Sequence, residues 1–156
     1  MNLVISKNLL QEIHLHGENA YPEEGVGLLL GTENDDNRVV QSILELNNSR
    51  EGPARHNRYL ITAVDMMRAE NQAVEMGMDI LGIFHSHPDH PNKPSEYDLE
   101  RAMPWFSYLI TSINGCTARK SCSWRLVDNR SDFLEENIEV LDSMSELKID
   151  FPGKDG

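Results

Sequence analysis

Ile80-Leu81-Gly82-Ile83-Phe84 is an unbroken apolar run that ends on His85-Ser86-His87-Pro88. A strand with one face in water alternates apolar and polar residues, whereas a run without alternation fits a strand covered on both faces. Such a strand needs a layer on each side. The chain is therefore predicted to be an α/β protein, a mixed central sheet flanked by helices. Residues 26–30 repeat the pattern as Val-Gly-Leu-Leu-Leu. Both runs are strand-length, far below the ~20 residues of a membrane-spanning helix.

Local signals place the other elements around these two strands. Ser6 can cap a helix over residues 7–19, with Leu9, Leu10 and Ile13 as its apolar stripe. A strand over 24–32, a polar turn at 33–37 and a second strand over 38–46 follow. Residues 47–57 read as a loop and 58–61 as a short strand. Thr62, with Asp65 three residues on, opens a helix through Glu75. Strand 79–87, loop 88–94, helix 95–103, strands 108–113 and 123–128, and a last strand 133–141 complete the expected order. Beyond about residue 142 the chain is an acidic tail. With 156 residues, 39% of them hydrophobic, one domain over residues 1–156 is expected.

Charge narrows the partners. Fourteen basic residues against 26 acidic give a net charge of −12, which repels phosphate backbones and anionic membranes. No nucleic acid and no membrane is expected as a partner. The first residues lack a basic segment followed by an apolar one, so a cytoplasmic protein is expected. The two cysteines, Cys116 and Cys122, cannot build a disulfide framework or a four-thiolate site, and both are read as free thiols.

The segment 84–100, FHSHPDHPNKPSEYDLE, holds three of the six histidines. On a strand, residues two apart point the same way, so His85 and His87 project together from the end of the 79–87 strand. Their Cα atoms lie roughly 6–7 Å apart at standard rise, close enough for both imidazoles to reach one zinc. His14 and His16 share the spacing but sit on a helix, where the side chains diverge. They are expected to be ordinary boundary residues, as are His56 and His90. A third ligand is available at Asp98, three residues after Ser95. Ser95-x-x-Asp98 also has the form of a helix cap, so spacing alone leaves two readings. Three ligands and an open position mark a catalytic zinc site, and a carboxylate base would help it move protons. Glu23 and Glu24 are both candidates, and alternation sends them to opposite faces. Nothing local chooses between them.

Taken together, Pro22-Glu23-Glu24-x-x-Gly27-Leu-Leu-Leu-Gly31, His85-Ser86-His87-Pro88 and Ser95-x-x-Asp98 resemble the signature of the JAMM (MPN-plus, JAB) metalloproteases. The resemblance covers the chain from its first helix to about Asp128. It implies an α/β/α sandwich similar to that of cytidine deaminases. It implies one Zn²⁺ per chain on His85, His87 and Asp98, with Glu24 as general acid/base and Ser95 as an oxyanion donor. Ser86 is read as positional and Glu23 as a solvated neighbour. The implied reaction is hydrolysis of a peptide or isopeptide bond at the C-terminal Gly-Gly of a ubiquitin-like protein. The compact chain favours a sulfur carrier as that partner. The competing readings are a non-enzymatic MPN-type scaffold and a zinc-dependent base deaminase. The deaminase needs a thiolate-rich site, and Cys116 and Cys122 do not form a C-x-x-C pair.

Overall fold

A computed structural model describes residues 2–146. Most of the acidic tail lies outside the described residues. The elements run β1 (Asn2–Ser6), α1 (Lys7–Ala20), β2 (Val26–Glu33), β3 (Asn37–Leu46), a 3₁₀ turn (Gly52–His56), α2 (Ala63–Glu75), β4 (Asp79–Pro88), α3 (Glu96–Arg101), β5 (Ser107–Asn114), β6 (Thr117–Leu126), β7 (Phe133–Leu141) and a short 3₁₀ turn (Met144–Glu146). The helices start where their caps predict. Ser6 Oγ accepts from Leu9 N–H at 3.2 Å, and Thr62 Oγ1 accepts from Asp65 N–H at 3.1 Å. No helix among the described residues is long and apolar enough to cross a membrane.

The sheet is mixed, in the order β1-β3-β2-β4-β5-β6-β7, and it closes on itself. β1 pairs in parallel with β3 on one side and β7 on the other. The mixed α/β content matches the expectation, but the sheet is barrel-like rather than the plain layer of an α/β/α sandwich, and the strand that closes it, β1, is not among the expected elements. Asn-Leu-Val-Ile-Ser at residues 2–6 pairs only with distant strands, so no hairpin or turn signal announces it. The expected strand over 58–61 is absent. Leu60 N–H bonds to the Asn48 side chain at 3.1 Å, which stands in for a ladder partner, while Tyr59 and Ile61 still pack into the core.

Both faces of the central strands are covered, as the apolar runs require. Leu28 and Leu30 pack towards Ala69 and Ala73 of α2, whereas Leu29 packs with Ile13 of α1. Gly27 is glycine for space: a Cβ there would lie 2.1 Å from the buried Phe84 ring.

One irregularity orients the site. Leu30 pairs with Ile80 and Leu29 with Gly82, so Leu81 is an extra residue in β4, a β-bulge. Before it, Ile80 faces the α2 side and Leu81 the α1 side. After it, Ile83 faces α2 and Phe84 faces α1. The alternation shifts by one, and His85 and His87 fall on the face of Ile83. The Leu81 carbonyl accepts from the buried Arg38 guanidinium at 3.1 Å, and the same side chain donates to Ser107 Oγ at 3.0 Å and Trp105 O at 2.8 Å.

Candidate active site

The C-terminal end of β4 and the first turn of α3 bring three side chains into one buried cluster. His85 Nε2 and His87 Nε2 are 3.1 Å apart. Asp98 Oδ1 lies 3.4 Å from His85 Nε2, and Oδ2 lies 3.2 Å from His87 Nε2. A tetrahedral ion with bonds of ~2.0–2.1 Å holds its ligands about 3.3–3.4 Å apart, so these separations fit one ion. His87 Nδ1–H donates to Pro91 O at 2.8 Å, which orients the ring with Nε2 facing the cluster. The His85 ring packs against Tyr59 at 4.7 Å between centroids, and its Nδ1 has no hydrogen-bond partner among the described residues.

A second carboxylate faces the same pair. Glu24, His85 and His87 offer ligand atoms within 4.8 Å of one another, a group that could hold a metal. Distance separates the two acids. Asp98 touches both imidazoles at 3.2–3.4 Å, while Glu24 faces the same pair without such a contact. Glu24 is 3% exposed, and its Oε1 is without a hydrogen-bond partner among the described residues.

Burial and charge set the protonation of each group. Burial pushes the Glu24 carboxyl up to about 7, against the pull of His85 and His87 and with the help of Asp98. Burial would also raise Asp98, but His85, His87 and the Ser95 N–H outweigh it and hold that carboxyl well below the usual range. For His87, burial favours the neutral ring, yet the Asp98 hydrogen bond, Glu24 and the Pro91 carbonyl shift it upward.

Backbone contacts fix these side chains. Glu24 and Glu23 precede β2, so strand alternation does not distinguish them. Glu24 N–H donates to Arg55 O at 2.7 Å, and its carbonyl accepts from Asn48 Nδ2 at 3.1 Å. Ser86 clamps the next residue, its Oγ accepting from Gly25 N–H at 2.8 Å and its own N–H donating to Gly25 O at 3.0 Å. Glu23 is half-buried, 3.9 Å from Arg55. Ser95 caps α3: its Oγ accepts from Asp98 N–H at 3.1 Å, and its N–H donates to Asp98 Oδ2 at 2.9 Å. The capping reading is thus correct, and the cap itself aims Asp98. Ser95 also lines a cavity of about 480 Å³ together with Glu24, His87, Arg58 and Tyr97.

None of His14, His16 and His90 joins this cluster, and the side chain of His56 lies outside the described residues. His14 Nε2 meets Ser121 Oγ at 2.9 Å, His16 Nε2 meets Val26 O at 3.0 Å, and His90 is exposed. Cys116 and Cys122 are free, the first exposed and the second buried. Asn48 and Tyr59 escape the sequence reading. An Asx turn at Asn48, whose Oδ1 accepts from Arg50 N–H at 3.0 Å, was the one local signal for the former.

A mixed sheet with a histidine pair ending one strand and a carboxylate opening the next helix is the layout of a JAB-type domain. The chain belongs to the family described as prokaryotic homologs of the JAB domain, whose model matches residues 6–127. A relative from Thermus thermophilus, named a probable TtuB-protein conjugate cleaving protease, is 31% identical over 116 residues, 74% of each chain. Among solved structures, a Desulfitobacterium hafniense protein superposes with a TM-score of 0.80 at 27% identity, covering 92% of this chain and 96% of that one. A Salinibacter ruber protein gives 0.70 at 40% identity, covering 92% and 94%. A JAB1/MPN domain protein from Archaeoglobus fulgidus shares the fold, with a TM-score of 0.55 at 21% identity over 90% of this chain and 97% of that one.

Proposed function

We propose that this chain is a single-domain zinc metallopeptidase. It hydrolyses the amide bond after the C-terminal Gly-Gly of a ubiquitin-like sulfur-carrier protein, whether that bond is peptide or isopeptide. The observation that carries the reading is the set of 3.1–3.4 Å contacts that joins His85, His87 and the Asp98 carboxylate, with the buried Glu24, whose Oε1 has no hydrogen-bond partner among the described residues, facing the same two histidines. The Thermus relative supports the choice of substrate.

The residues present fit one Zn²⁺ held by His85, His87 and Asp98, an open fourth position being the mark of a catalytic site. When bound, zinc supplies Lewis acidity, which activates water and polarises a carbonyl. Glu24 accepts the proton that the attacking water loses and returns it to the leaving amine. A buried carboxyl that faces both histidines is placed to carry out both transfers. Ser95 Oγ uses a lone pair in the cap, so its O–H remains free to donate to the developing oxyanion. Ser86 and Asn48 hold the peptide group that follows Glu24, and the Arg55 carbonyl holds the Glu24 N–H before it, which keeps the carboxylate in place.

The test is an assay of C-terminally extended sulfur carriers with and without chelator. Cleavage after Gly-Gly, abolished by chelation and restored by zinc, is the expected result. Cleavage indifferent to chelator, or none on any extended carrier, overturns the proposal.

A further inference from the structure

Although 26 acids outnumber 14 bases, the balance reverses beside the site. Three guanidinium groups surround the ring of Tyr97, the residue before Asp98. Arg58 lies 4.8 Å from its centroid, Arg101 5.0 Å and Arg50 5.9 Å. Arg101 stands one helical turn along α3, whereas Arg50 and Arg58 arrive from the segment between β3 and α2. Arg38, Arg55 and Arg125 each have a carboxylate within 4.0 Å. Arg50, Arg58 and Arg101 have none among the described residues. An aromatic ring attracts cations, but three sharing one ring also repel each other, so the cluster is short of negative charge.

Its position gives that deficit a use. Arg58 and Tyr97 line the cavity that Glu24, His87 and Ser95 share, and Arg101 lines the adjoining apolar cleft beside Asp98. Anything reaching Glu24 through that cavity passes the cluster. The repulsive field of the whole molecule fades over a Debye length of about 8 Å at physiological salt, so a short acidic segment seated here meets the arginines first. Guanidinium forks match carboxylates in bidentate geometry.

We infer that Arg50, Arg58 and Arg101 dock an acidic segment of the protein substrate, its carboxylates next to the bond presented to Glu24. This rests on the reading of the site as one that takes a protein chain. The test is binding, which requires no cleavage. Two fluorescein-labelled peptides, Glu-Glu-Glu-Gly-Gly and Gln-Gln-Gln-Gly-Gly, are titrated with the protein by anisotropy. The acidic peptide is expected to bind about tenfold more tightly at low salt, a few-fold for each exposed pair, with the advantage nearly gone at high salt. The variant R50Q/R58Q/R101Q loses the preference. K7Q/R68Q/R119Q removes the same charge from exposed positions elsewhere and keeps it. Equal affinity for the two peptides overturns the inference, as does equal loss in both triple variants, which would assign the effect to overall charge. Acid-selective binding by a protein that cleaves no carrier would sink the peptidase reading alone. Cleavage of carriers without acid-selective binding would sink only the docking site.

Discussion

Replacing Ser95 by alanine separates the cap that the structure shows from the oxyanion role proposed for the same hydroxyl. The cap role is local: Ser95 Oγ accepts a single bond, from Asp98 N–H at 3.1 Å, at the start of the six-residue helix α3. Its loss costs ~1 kcal/mol, the usual value for a Ser-to-Ala cap. In a chain of this length that lowers Tm by about 2–4 °C. The reciprocal bond, Ser95 N–H to Asp98 Oδ2 at 2.9 Å, belongs to the backbone and survives the substitution. Asp98 therefore stays aimed, and zinc content is unchanged. If the hydroxyl also donates to an oxyanion, kcat falls by roughly 10²–10³ fold. Ser95→Asn caps well but places its donor differently, so it recovers the melting temperature without recovering kcat. Differential scanning fluorimetry, elemental analysis and single-substrate kinetics on the same preparations give all three values. Unchanged kcat in Ser95→Ala would reduce Ser95 to a cap, and loss of zinc would refute the account of how Asp98 is held.

Elemental analysis is expected to find one zinc per chain, most of it lost in His87→Ala; full retention in His85→Ala/His87→Ala removes the site. Glu24→Gln leaves a folded, zinc-loaded protein whose turnover drops by about 10²–10⁴ fold, while Glu23→Gln changes little, as rate assays on both will show. The Glu24 carboxyl is raised on folding, so in metal-stripped protein its stabilising contribution is complete below the unfolded value of 4.5 and is lost as pH rises through about 7. Metal-stripped Glu24→Gln should therefore exceed metal-stripped wild type in stability at pH 8, on the order of 2–4 kcal/mol by urea titration, with the gap closing by pH 4. Gly27→Ala drives a methyl group into the Phe84 ring and should cost about 1–3 kcal/mol or more in the same titration.

Much of the fold was legible because its signals are local. Ser6 and Thr62 announce their helices, and the apolar runs in β2 and β4 announce strands buried on both faces. What could not be read depends on distant pairing. β1 makes sense only beside β3 and β7, and the polar first half of β6 is a strand because Ala118 pairs with Ile113 in β5. At the site, the spacing of two residues between His85 and His87 was enough to expect their convergence. The preference for Glu24 over Glu23 could not come from alternation, since both residues lie ahead of the strand. Burial of Glu24 and the Ser86 clamp on Gly25 separate them, and both need the folded chain. Asn48, Tyr59 and the arginines around Tyr97 were hidden for the same reason.

The extra residue in β4 makes the phase of that strand a quantity the protein must keep. Counting back from the histidines, the signature is out of step with the half of β4 that precedes Leu81, and the bulge absorbs the mismatch. A chain lacking one residue at that point would retain every letter of His85-Ser86-His87 yet turn both rings towards α1 and Ser86 towards the cavity. Arg38, which binds the bulge carbonyl from β3, thus acts as a lock on that phase. Relatives with an intact motif but a shifted residue count between Gly82 and Asp79 would carry the letters of an active site without its geometry.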